Sequence, residues 1–286
     1  MSVLVACFRH VEFVKDCLRS ILAQQGVSFE VLVRDDGSDD GSAELLQRLA
    51  PDLGFRLLPG DGNLGLAGNY NRLFASARGE YVVDFASDDI MPAGRLKAQV
   101  DWLDAHPRSP ACTGQCRLMD ASGSVQSQKT PCFLSGVPEA AFEEIQLGTT
   151  ELHGATGMIR ASCLREIGGW DGKLAIEDFP LWLALSKRFG PIGVLEDVLI
   201  HWRQHGGNLH RRYDRVYEAT LQALDPYRDH PLHARARSLW RTRWWSAVAG
   251  ERPWEALRRI GELGSLRGHF LLRTPKPFLA ILKRWR

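Results

Sequence analysis

Short apolar runs alternate with longer helical patterns through the first hundred residues of the chain. Four runs have the length of strands: SVLVA (2–6), FEVLVR (29–34), FRLL (55–58) and EYVVDFA (80–86). Helical spacing of apolar residues follows each of them, at about 11–25, 42–50, 66–77 and 92–105. This alternation predicts an α/β fold with a mostly parallel sheet flanked by helices. Ligands of such sheets bind beyond the carboxyl ends of the strands, so we expect a site in the loops that follow these runs.

The pattern becomes less regular in the second part of the chain. Pro, Gly, Ser and Thr are frequent between about 106 and 155. A helix is predicted at about 180–189 and a strand at about 194–205. After 208 the spacing is helical to the end of the sequence, which predicts a C-terminal helical extension.

The charges are distributed unevenly, although the net charge is only +2. Residues 1–210 contain 19 Lys and Arg against 27 Asp and Glu, a net −8, whereas residues 211–286 contain 17 against 7, a net +10. Such a split predicts an acidic body and a basic tail that meets an anionic partner, which could be membrane lipid, nucleic acid or an acidic protein.

The cysteines and the hydropathy predict a cytoplasmic protein with reduced thiols. The six cysteines are scattered through apolar segments, and no run approaches the ~20 apolar residues of a membrane span. The N-terminus has no secretory pattern, because Arg9, His10 and Glu12 soon interrupt its apolar start. Cys112 and Cys116 have the spacing of a metal pair, but without a second pair we interpret them as buried core thiols.

The segment GDGNLG matches the dinucleotide-binding pattern G-x-G-x-x-G at Gly60, Gly62 and Gly65. This match makes an NAD(P)- or FAD-dependent oxidoreductase one alternative. Its position is wrong for that function, because the pattern belongs in the first βα turn, whereas here it lies in the third. We therefore interpret the glycines as allowing a loop to bend toward another ligand.

Paired carboxylates follow the second and fourth predicted strands. Asp35 and Asp36 begin the turn RDDGSDDGS, where a carboxylate could accept from a pyrimidine ring N–H or could cap the next helix. Asp88 and Asp89 end the segment DFASDD. Adjacent carboxylates repel each other unless a cation lies beside them, so this pair predicts a divalent metal that bridges to substrate phosphates.

Two further polar groups precede or follow apolar segments. Glu177 and Asp178 stand before the predicted helix at 180–189, where Asp178 could cap the helix, act as a general base, or do both. Arg203, His205 and Asn208 end the last predicted strand in HWRQHGGN, and we expect this cluster to reach the same edge of the sheet.

Five segments, in this order, resemble the family 2 glycosyltransferases, which are nucleotide-sugar-dependent enzymes with the GT-A fold. The resemblance covers about residues 2–208. It is carried by SVLVACFRHVEFVKDCLRSILAQQ, VLVRDDGSDDGS, NLGLAGNYNRLFASARGEYVVDFASDDIMPAGRL, IGGWDGKLAIEDFPLWLAL and HWRQHGGN. The fourth matches a Gly-Gly-aromatic-Asp sequence followed by Glu-Asp, and the fifth matches Arg-x-His-x-x-Asn.

The resemblance implies an inverting displacement with Asp178 as general base and Glu177 as its neighbour. It implies that Asp89, as the expected direct ligand, holds Mn²⁺ or Mg²⁺ together with Asp88 and His205. The nucleotide sugar would be bound by residues from several loops, namely Ala6, Phe8, Arg9, Asp35, Asp36, Asn63, Gly65, Asn71, Asp88, Arg203, His205 and Asn208.

The chain departs from the family pattern at four positions. Ala6 replaces the usual Pro, Arg9 replaces the usual Asn, and Tyr70 stands where the family often has Arg. An Arg contact to the diphosphate could then come from Arg9 or Arg95. Pro180 stands where an acidic residue is common, which leaves the metal site and the expected base in place.

The resemblance and the tail together predict domains, partners and location. Residues 1–105 would form a nucleotide-sugar-binding half, 106–208 an acceptor-binding and catalytic half, and 209–286 a basic, Trp-rich helical region. The donor would be a UDP-, dTDP- or GDP-sugar. The acceptor would be lipid-linked or a polysaccharide of the lipopolysaccharide, O-antigen or capsule type, in bacterial surface-glycan assembly.

The tail has two interpretations. Its tryptophans could pack within a helical subdomain, or HFLLRTPKPFLAILKRWR (269–286) could face an anionic membrane, which would place the protein peripherally on the inner face of the cytoplasmic membrane. The tail contains no nucleic-acid-binding module, so we expect no nucleic-acid partner. A catalytically silent glycan-binding relative is a further alternative, against which the intact acidic set argues.

Overall fold

The computed structural model describes residues 1–125, 138–206 and 213–258. These residues form two compact units. The first unit comprises the described residues within Met1–Ile145, Thr150–Lys173 and Glu177–Gly207. The second comprises Gln146–Thr149, Leu174–Ile176 and the described residues from 213 onward.

The first unit is built on a mixed sheet of eight strands in the described ranges. The strands are β1 Ser2–Cys7, β2 Glu30–Asp35, β3 Arg56–Leu57, β4 Tyr81–Ala86, β5 Ala111–Met119, β6 Glu139–Ala140, β7 Met158–Arg160 and β8 Ile192–Arg203. Their order in the sheet is β3-β2-β1-β4-β7-β5-β8-β6. The predicted α/β class with a mostly parallel sheet is thereby confirmed.

Helices connect these strands. They are α1 Val14–Leu22, α2 Ser42–Leu53, α3 Gly65–Phe74, α4 Arg95–Ala105, α5 Phe142–Leu147, α6 Ala161–Glu166 and α7 Asp178–Phe189, with a 3-10 turn at Gly154–Thr156. Helix α1 shows why the pattern folds this way. Its buried residues are Val14, Cys17, Leu18 and Ile21, which recur at the spacing that places them on one helix face.

Strand direction brings distant loops to one edge of the sheet. β1 pairs in parallel with β2 and with β4. β7 is antiparallel to both β4 and β5, so β5 runs in the same direction as β4. β8 is parallel to β5. The carboxyl ends of β1, β2, β4, β5 and β8 therefore lie at the same edge, which we call the carboxyl edge.

The core of the first unit lies on both faces of the central strands. All six residues of β1 are buried, as expected for a parallel strand covered on both sides. Val5 lies opposite Val33 of β2 and Phe85 of β4, and none of the three side chains is exposed. Burying side chains of this size contributes about 1.5–3 kcal/mol each, so the central strands hold the carboxyl edge in place.

The irregular region after residue 105 contains a strand that the hydrophobic pattern does not predict. β5 has the sequence ACTGQCRLM, in which buried Thr113 and Gln115 interrupt the apolar positions. The polar groups are satisfied by neighbours distant in sequence, since Thr113 Oγ1 donates to the Gly193 carbonyl over 3.4 Å. Helix α4 also begins later than predicted, at Arg95, because Gly94 adopts a left-handed φ of 81° before it.

The second unit consists of α8 Tyr213–Leu224, α9 His233–Glu251 and α10 Pro253–Arg258. Trp245 is fully buried, and its indole N–H donates to the Ala256 carbonyl over 2.8 Å. The Trp244 indole donates to Asp214 Oδ1 over 3.1 Å. These tryptophans thus pack inside the unit, as the first interpretation of the tail expects. Residues 259–286, including the predicted membrane-facing segment, lie outside the described residues.

None of the helices in the described ranges combines enough length with enough apolar character to cross a bilayer.

Candidate active site at the carboxyl edge

Asp36 lies directly after β2 and is held by a buried arginine from the same strand. Arg34 is fully buried, and its Nη1 donates to Asp36 Oδ1 over 2.8 Å. The backbone N–H of Leu64 donates to the same oxygen over 2.8 Å. One carboxylate oxygen of Asp36 is therefore used by the fold, which fixes the direction of the other.

Arg34 also anchors the glycine-containing loop before α3. Its guanidinium donates to Asp61 Oδ1 over 2.8 Å, to the Gly62 carbonyl over 3.0 Å and to the Pro59 carbonyl over 3.2 Å. A Cβ on Gly60 would lie 2.8 Å from the Asp35 carbonyl, so this loop approaches β2 too closely for a side chain. The glycines of the loop thus bring its backbone beside Asp36.

The neighbouring polar residues shape the turns of this edge. The Asp35 carboxylate accepts from the backbone N–H of Gly37 and Ser38 and from Ser38 Oγ, at 3.0, 2.8 and 2.6 Å. Asn63 Oδ1 accepts from the backbone N–H of Gly65 over 3.1 Å, at the first residue of α3. Asp35 and Asn63 therefore fix the backbone of two turns for which the sequence predicts contacts to the nucleotide sugar.

The loop after β1 carries backbone strain. Arg9 has a φ of 57°, and it is the one non-glycine with positive φ in the part of the chain that the structure describes. Phe8 beside it is 41% exposed, whereas Ala6 is buried in β1. The Arg9 backbone N–H donates to Ser38 Oγ over 2.8 Å, and its guanidinium pairs with Asp39 over 2.7 Å. Such strain persists where the surroundings impose it, and it clusters at functional sites.

This turn brings His10 to the end of β4. His10 Nδ1 lies 2.8 Å from Ser87 Oγ, and its Nε2 lies 3.8 Å from Asp88 Oδ2. His205, which follows β8, has its Nε2 2.9 Å from the same Asp88 oxygen. One ligand atom from each of His10, Asp88 and His205 lies within 4.8 Å of the others. These three side chains could together hold a metal ion.

The Asp88 carboxylate is suited to a cation. Its Oδ1 is buried and has no hydrogen-bond partner among the described residues. Burial raises the pKa of Asp88, but the hydrogen bond from His205 and the charges of His10 and His205 outweigh it, so that the pKa lies below its ordinary value. Asp88 thus presents an ionised oxygen in a buried place, which is the donor that a divalent ion prefers.

Asp89 and Arg203 form hydrogen bonds next to the cluster of His10, Asp88 and His205. Asp89 Oδ1 accepts from the backbone N–H of Arg203 over 2.8 Å, and burial together with the nearby Asp88 raises the pKa of Asp89 well above its ordinary value. The Arg203 guanidinium donates to the Asp88 carbonyl over 2.7 Å and to the Ala121 carbonyl over 3.0 Å, and it lies over Phe13. The predicted roles of Asp89 as a metal ligand and of Arg203 at the diphosphate stay predictions.

Glu177 and Asp178 form the N-terminus of α7, close to the 3-10 turn. Asp178 Oδ1 accepts from the backbone N–H of Phe179 over 2.7 Å. A Cβ on Gly154 would lie 2.7 Å from Asp178 Cβ, so the absence of a side chain at Gly154 gives Asp178 its place. The N-cap of α7 is Glu177, which makes no side-chain cap bond, and Asp178 is the first helical residue, so the Asp178 carboxylate binds one N–H of the first turn instead of serving as the N-cap. Its predicted role as a base stays a prediction.

These carboxyl groups are more basic than usual. Burial, and then the charge of Asp178, raises the pKa of Glu177 to about 8. Burial raises the pKa of Asp178 as well. Asp84 of β4 is influenced by Asp178, and burial is the main cause that raises the pKa of Asp84 to about 7. The Glu177–Asp178 pair thus lies near the strand that leads to Asp88.

Asn71 connects α3 to the Gly-Gly-Trp segment. Its Nδ2 donates to the Trp170 carbonyl over 2.7 Å, and its Oδ1 accepts from the Trp170 backbone N–H over 3.0 Å. The Trp170 ring lies 5.3 Å from that of Tyr70. The Asn71 amide thus fixes the segment that precedes Glu177, and its predicted contact to a donor stays a prediction.

The structure brings together most of the residues that the sequence singles out at the carboxyl edge. Asn208 lies outside the described residues. Sequence reasoning did not single out His10 or Arg34 as site residues. The available signal was the position of His10 directly after an apolar strand, which resembles that of Asp36 and of Asp88. Arg95, predicted as an alternative diphosphate contact, is buried and donates to Gln99 Oε1, the Leu199 carbonyl and the Gly157 carbonyl.

Comparison with known proteins places the chain in a family. The sequence model described as glycosyl transferase family 2 matches residues 2–168. The chain belongs to this family. Among curated relatives, a poly-beta-1,6-N-acetyl-D-glucosamine synthase of Staphylococcus epidermidis is 24% identical over 181 residues, which cover 62% of this chain and 43% of the synthase. The chain thus spans less than half the length of that relative.

Solved structures of two proteins share the fold of this family 2 member. S. aureus TarS in complex with UDP-GlcNAc has a TM-score of 0.66 and 19% identity, covering 99% of this chain and 78% of TarS. A mannosyltransferase from Pyrobaculum calidifontis in complex with GDP-Man and Mn²⁺ has a TM-score of 0.64 and 20% identity, covering 99% and 85%. These likenesses establish the GT-A fold.

Proposed function

We propose that this family 2 protein is an inverting glycosyltransferase that moves a sugar from a nucleoside-diphosphate donor to a hydroxyl of a glycan acceptor. The observation that carries the proposal is the cluster of His10, Asp88 and His205 at the carboxyl edge, where the fixed carboxylate of Asp36 also follows a strand. Asp178 supports it, because its charge acts on Asp84 in the strand that leads to Asp88.

The donor would lie along this edge, with its base at Asp36 and its diphosphate at Asp88. One oxygen of Asp36 is bound by Arg34 and Leu64, and the other would accept from a ring N–H of the base. A UDP-, dTDP- or GDP-sugar offers such an N–H. Both structural neighbours support a sugar-nucleotide donor, because one is in complex with UDP-GlcNAc and the other with GDP-Man.

The metal would be Mn²⁺ or Mg²⁺, held by Asp88 with the two imidazoles, and by Asp89 if its carboxylate turns. When bound, such an ion stabilises the negative charge that develops on the departing diphosphate. The residues fit this group, because Asp88 places Oδ2 beside two imidazole nitrogens and has a second, buried oxygen, Oδ1, without a hydrogen-bond partner among the described residues.

Asp178 would take the proton from the attacking hydroxyl. A carboxylate whose pKa is raised by burial is a stronger base than an exposed one, and positioned base catalysis contributes about 10²–10⁴-fold. Glu177 precedes Asp178 in the chain, and the charge of Asp178 contributes to the raised pKa of Glu177. The acceptor would be lipid-linked or a surface polysaccharide of the lipopolysaccharide, O-antigen or capsule type, and the polysaccharide named for the curated relative supports this class.

A ligand screen tests the proposed donor. We expect UDP-, dTDP- or GDP-sugars with Mn²⁺ to raise the unfolding temperature, because a ligand at one hundred times its Kd stabilises the folded state by ~2.7 kcal/mol. Thermal unfolding would be measured with each nucleotide, with and without Mn²⁺, beside NAD⁺ and FAD. Stabilisation by NAD⁺ alone would overturn the proposal in favour of the oxidoreductase alternative.

The basic tail would bring the enzyme to an acceptor at an anionic membrane, so that the protein acts peripherally on the inner face of the cytoplasmic membrane. We expect the full chain to sediment with liposomes rich in anionic lipid, since each Lys or Arg near such a surface contributes ~1 kcal/mol. A chain ending at residue 267 should lose this binding. Zwitterionic liposomes are the control, and undiminished binding by the shorter chain would contradict the membrane role.

A further inference from the structure

His10 is the least expected member of the metal-binding cluster, because it comes from the first loop of the chain. Its Nδ1 lies 2.8 Å from Ser87 Oγ, and Ser87 is fully buried. When Nδ1 donates to this oxygen, the lone pair stays on Nε2. A hydrogen bond at one ring nitrogen is the usual device that orients a metal-binding histidine by its other nitrogen.

The distances between the three side chains are compatible with coordination of one shared ion after a small movement. Two ligand atoms on one metal ion lie about 3 Å apart when the metal–ligand bonds are about 2.1 Å. The separation of His205 Nε2 from Asp88 Oδ2 is already 2.9 Å. His10 Nε2 is 3.8 Å from the same oxygen, too far for a hydrogen bond, so it would have to move by about 1 Å to meet a shared ion.

Ring contacts with each other and with Phe13 orient the imidazoles of His10 and His205. The His10 and His205 rings are perpendicular, with centroids 5.7 Å apart. Phe13 contacts both rings, with centroid distances of 6.0 and 5.3 Å. Asp88 completes the group with a buried Oδ1 that lacks a partner among the described residues. The imidazoles face the other oxygen, Oδ2, so the unpartnered Oδ1 is an independent sign that this buried carboxylate has acceptor capacity that the described residues leave unused.

We propose that His10 is a protein ligand of the metal and that two imidazoles with one carboxylate make the site select a first-row transition ion over Mg²⁺. The inference rests on the proposed metal site and deepens it by naming the ion class. Imidazole nitrogen favours transition ions, in the order Mn²⁺ below Co²⁺, whereas Mg²⁺ prefers a shell of oxygen atoms. His10 is the residue that shifts the donor set toward nitrogen.

Direct metal binding to the whole protein tests this inference without an activity assay. Calorimetric titrations with Co²⁺, Mn²⁺ and Mg²⁺ would compare the unaltered chain with His10→Ala and with His10→Gln, which replaces the nitrogen by an amide oxygen at similar reach. We expect His10→Ala to weaken Co²⁺ binding by about 10–100-fold, Mn²⁺ binding by less, and Mg²⁺ binding by about twofold at most. His10→Gln should reduce the preference for Co²⁺ over Mg²⁺, because one imidazole remains, but should keep binding to Mg²⁺.

Pulsed electron paramagnetic resonance of bound Mn²⁺ gives a second readout, because it detects coordinated imidazole nitrogen. The modulation should correspond to two imidazoles in the unaltered protein and to one in His10→Ala. His106→Ala is the matched control, since the His106 imidazole stacks on Trp102 with centroids 3.9 Å apart and belongs to no metal-binding group in the described ranges. Unfolding curves of the metal-free proteins would establish that the variants fold.

Two results would overturn the inference and separate it from the proposed function. If the unaltered chain binds Co²⁺ and Mn²⁺ but His10→Ala binds them equally well with the same nitrogen modulation, His10 is not a ligand and the proposed enzyme stands. If the unaltered chain binds none of the three ions, with or without UDP, the metal site itself is wrong.

Discussion

Replacing Asp178 by Asn is expected to lower the transfer rate by about 10²–10⁴-fold while leaving donor affinity nearly unchanged. The amide cannot accept the proton of the attacking hydroxyl, but its Oδ1 can still accept from the Phe179 backbone N–H in the first turn of α7. The measurement compares kcat with the true acceptor and the Kd of the nucleotide sugar. The loss should therefore fall on kcat.

Asp197→Asn is the matched control, because Asp197 is an exposed carboxylate on β8. Its rate should stay within about twofold of that of the unaltered enzyme. If Asp178→Asn transfers at a near-normal rate, Asp178 is not the base, and the raised pKa of the pair serves another purpose.

The pH dependence of the transfer rate is a second test of Asp178 as the base. Burial raises the pKa of Asp178, and only the ionised carboxylate can accept a proton. The rate should therefore increase with pH and fall about tenfold per unit below the pKa of the Glu177–Asp178 pair. Asp178→Asn should abolish this acid limb, and a limb that persists in the variant would belong to another group.

Arg34→Met is expected to lower the free energy of unfolding by about 3–5 kcal/mol. The apolar side chain fills the space of the arginine stem but leaves Asp36 buried without its cation. It also removes the donors that hold the carbonyls of Pro59 and Gly62. Urea unfolding would measure the loss, and titration with UDP at a temperature where the variant is folded would measure the accompanying loss of binding.

Arg188→Met provides the control for charge removal. Arg188 pairs with Glu166 over 2.6 Å, but the two side chains are 65% and 47% exposed. Exposed pairs contribute about 0–1 kcal/mol, so this variant should unfold almost as the unaltered chain does. Equal effects of the two substitutions would mean that the burial of Arg34 is not what makes its ion pair important.

The hydrophobic pattern was sufficient for the first half of the fold. β1, β2 and β4 are buried on both faces, so each contains a run of consecutive apolar residues, which is followed in β2 by buried Arg34 and interrupted in β4 by buried Asp84. β5 was not predictable in this way, because its Thr113 and Gln115 are buried among groups that are distant in sequence. Their burial depends on β8, about eighty residues later, which no local pattern contains.

The candidate site was predictable to the extent that its residues follow strands. Asp36 and Asp88 could be singled out because acidic pairs interrupt apolar runs. Arg34 lies inside a run and gives no such signal, although it organises the loop beside Asp36. His10 required the structure, because it lies in the loop after β1, where Arg9 has a positive φ, and its ring contacts Ser87 at the end of β4. What distinguishes His10 from an ordinary loop histidine is its position in the folded structure, which the residue type does not reveal.

The proposed metal ligands also determine when the site can first exist. His10 and Asp88 are synthesised early, but His205 follows β8, the last strand of the sheet in the described ranges. At typical rates of translation, on the order of 10 s separates the emergence of Asp88 from that of His205. A nascent chain in that interval holds two of the three ligands and would retain a cation only weakly. Tight binding of the ion would therefore occur only after β8 has paired with the sheet. The ion would then connect the loops that follow β1, β4 and β8 at a late stage of folding.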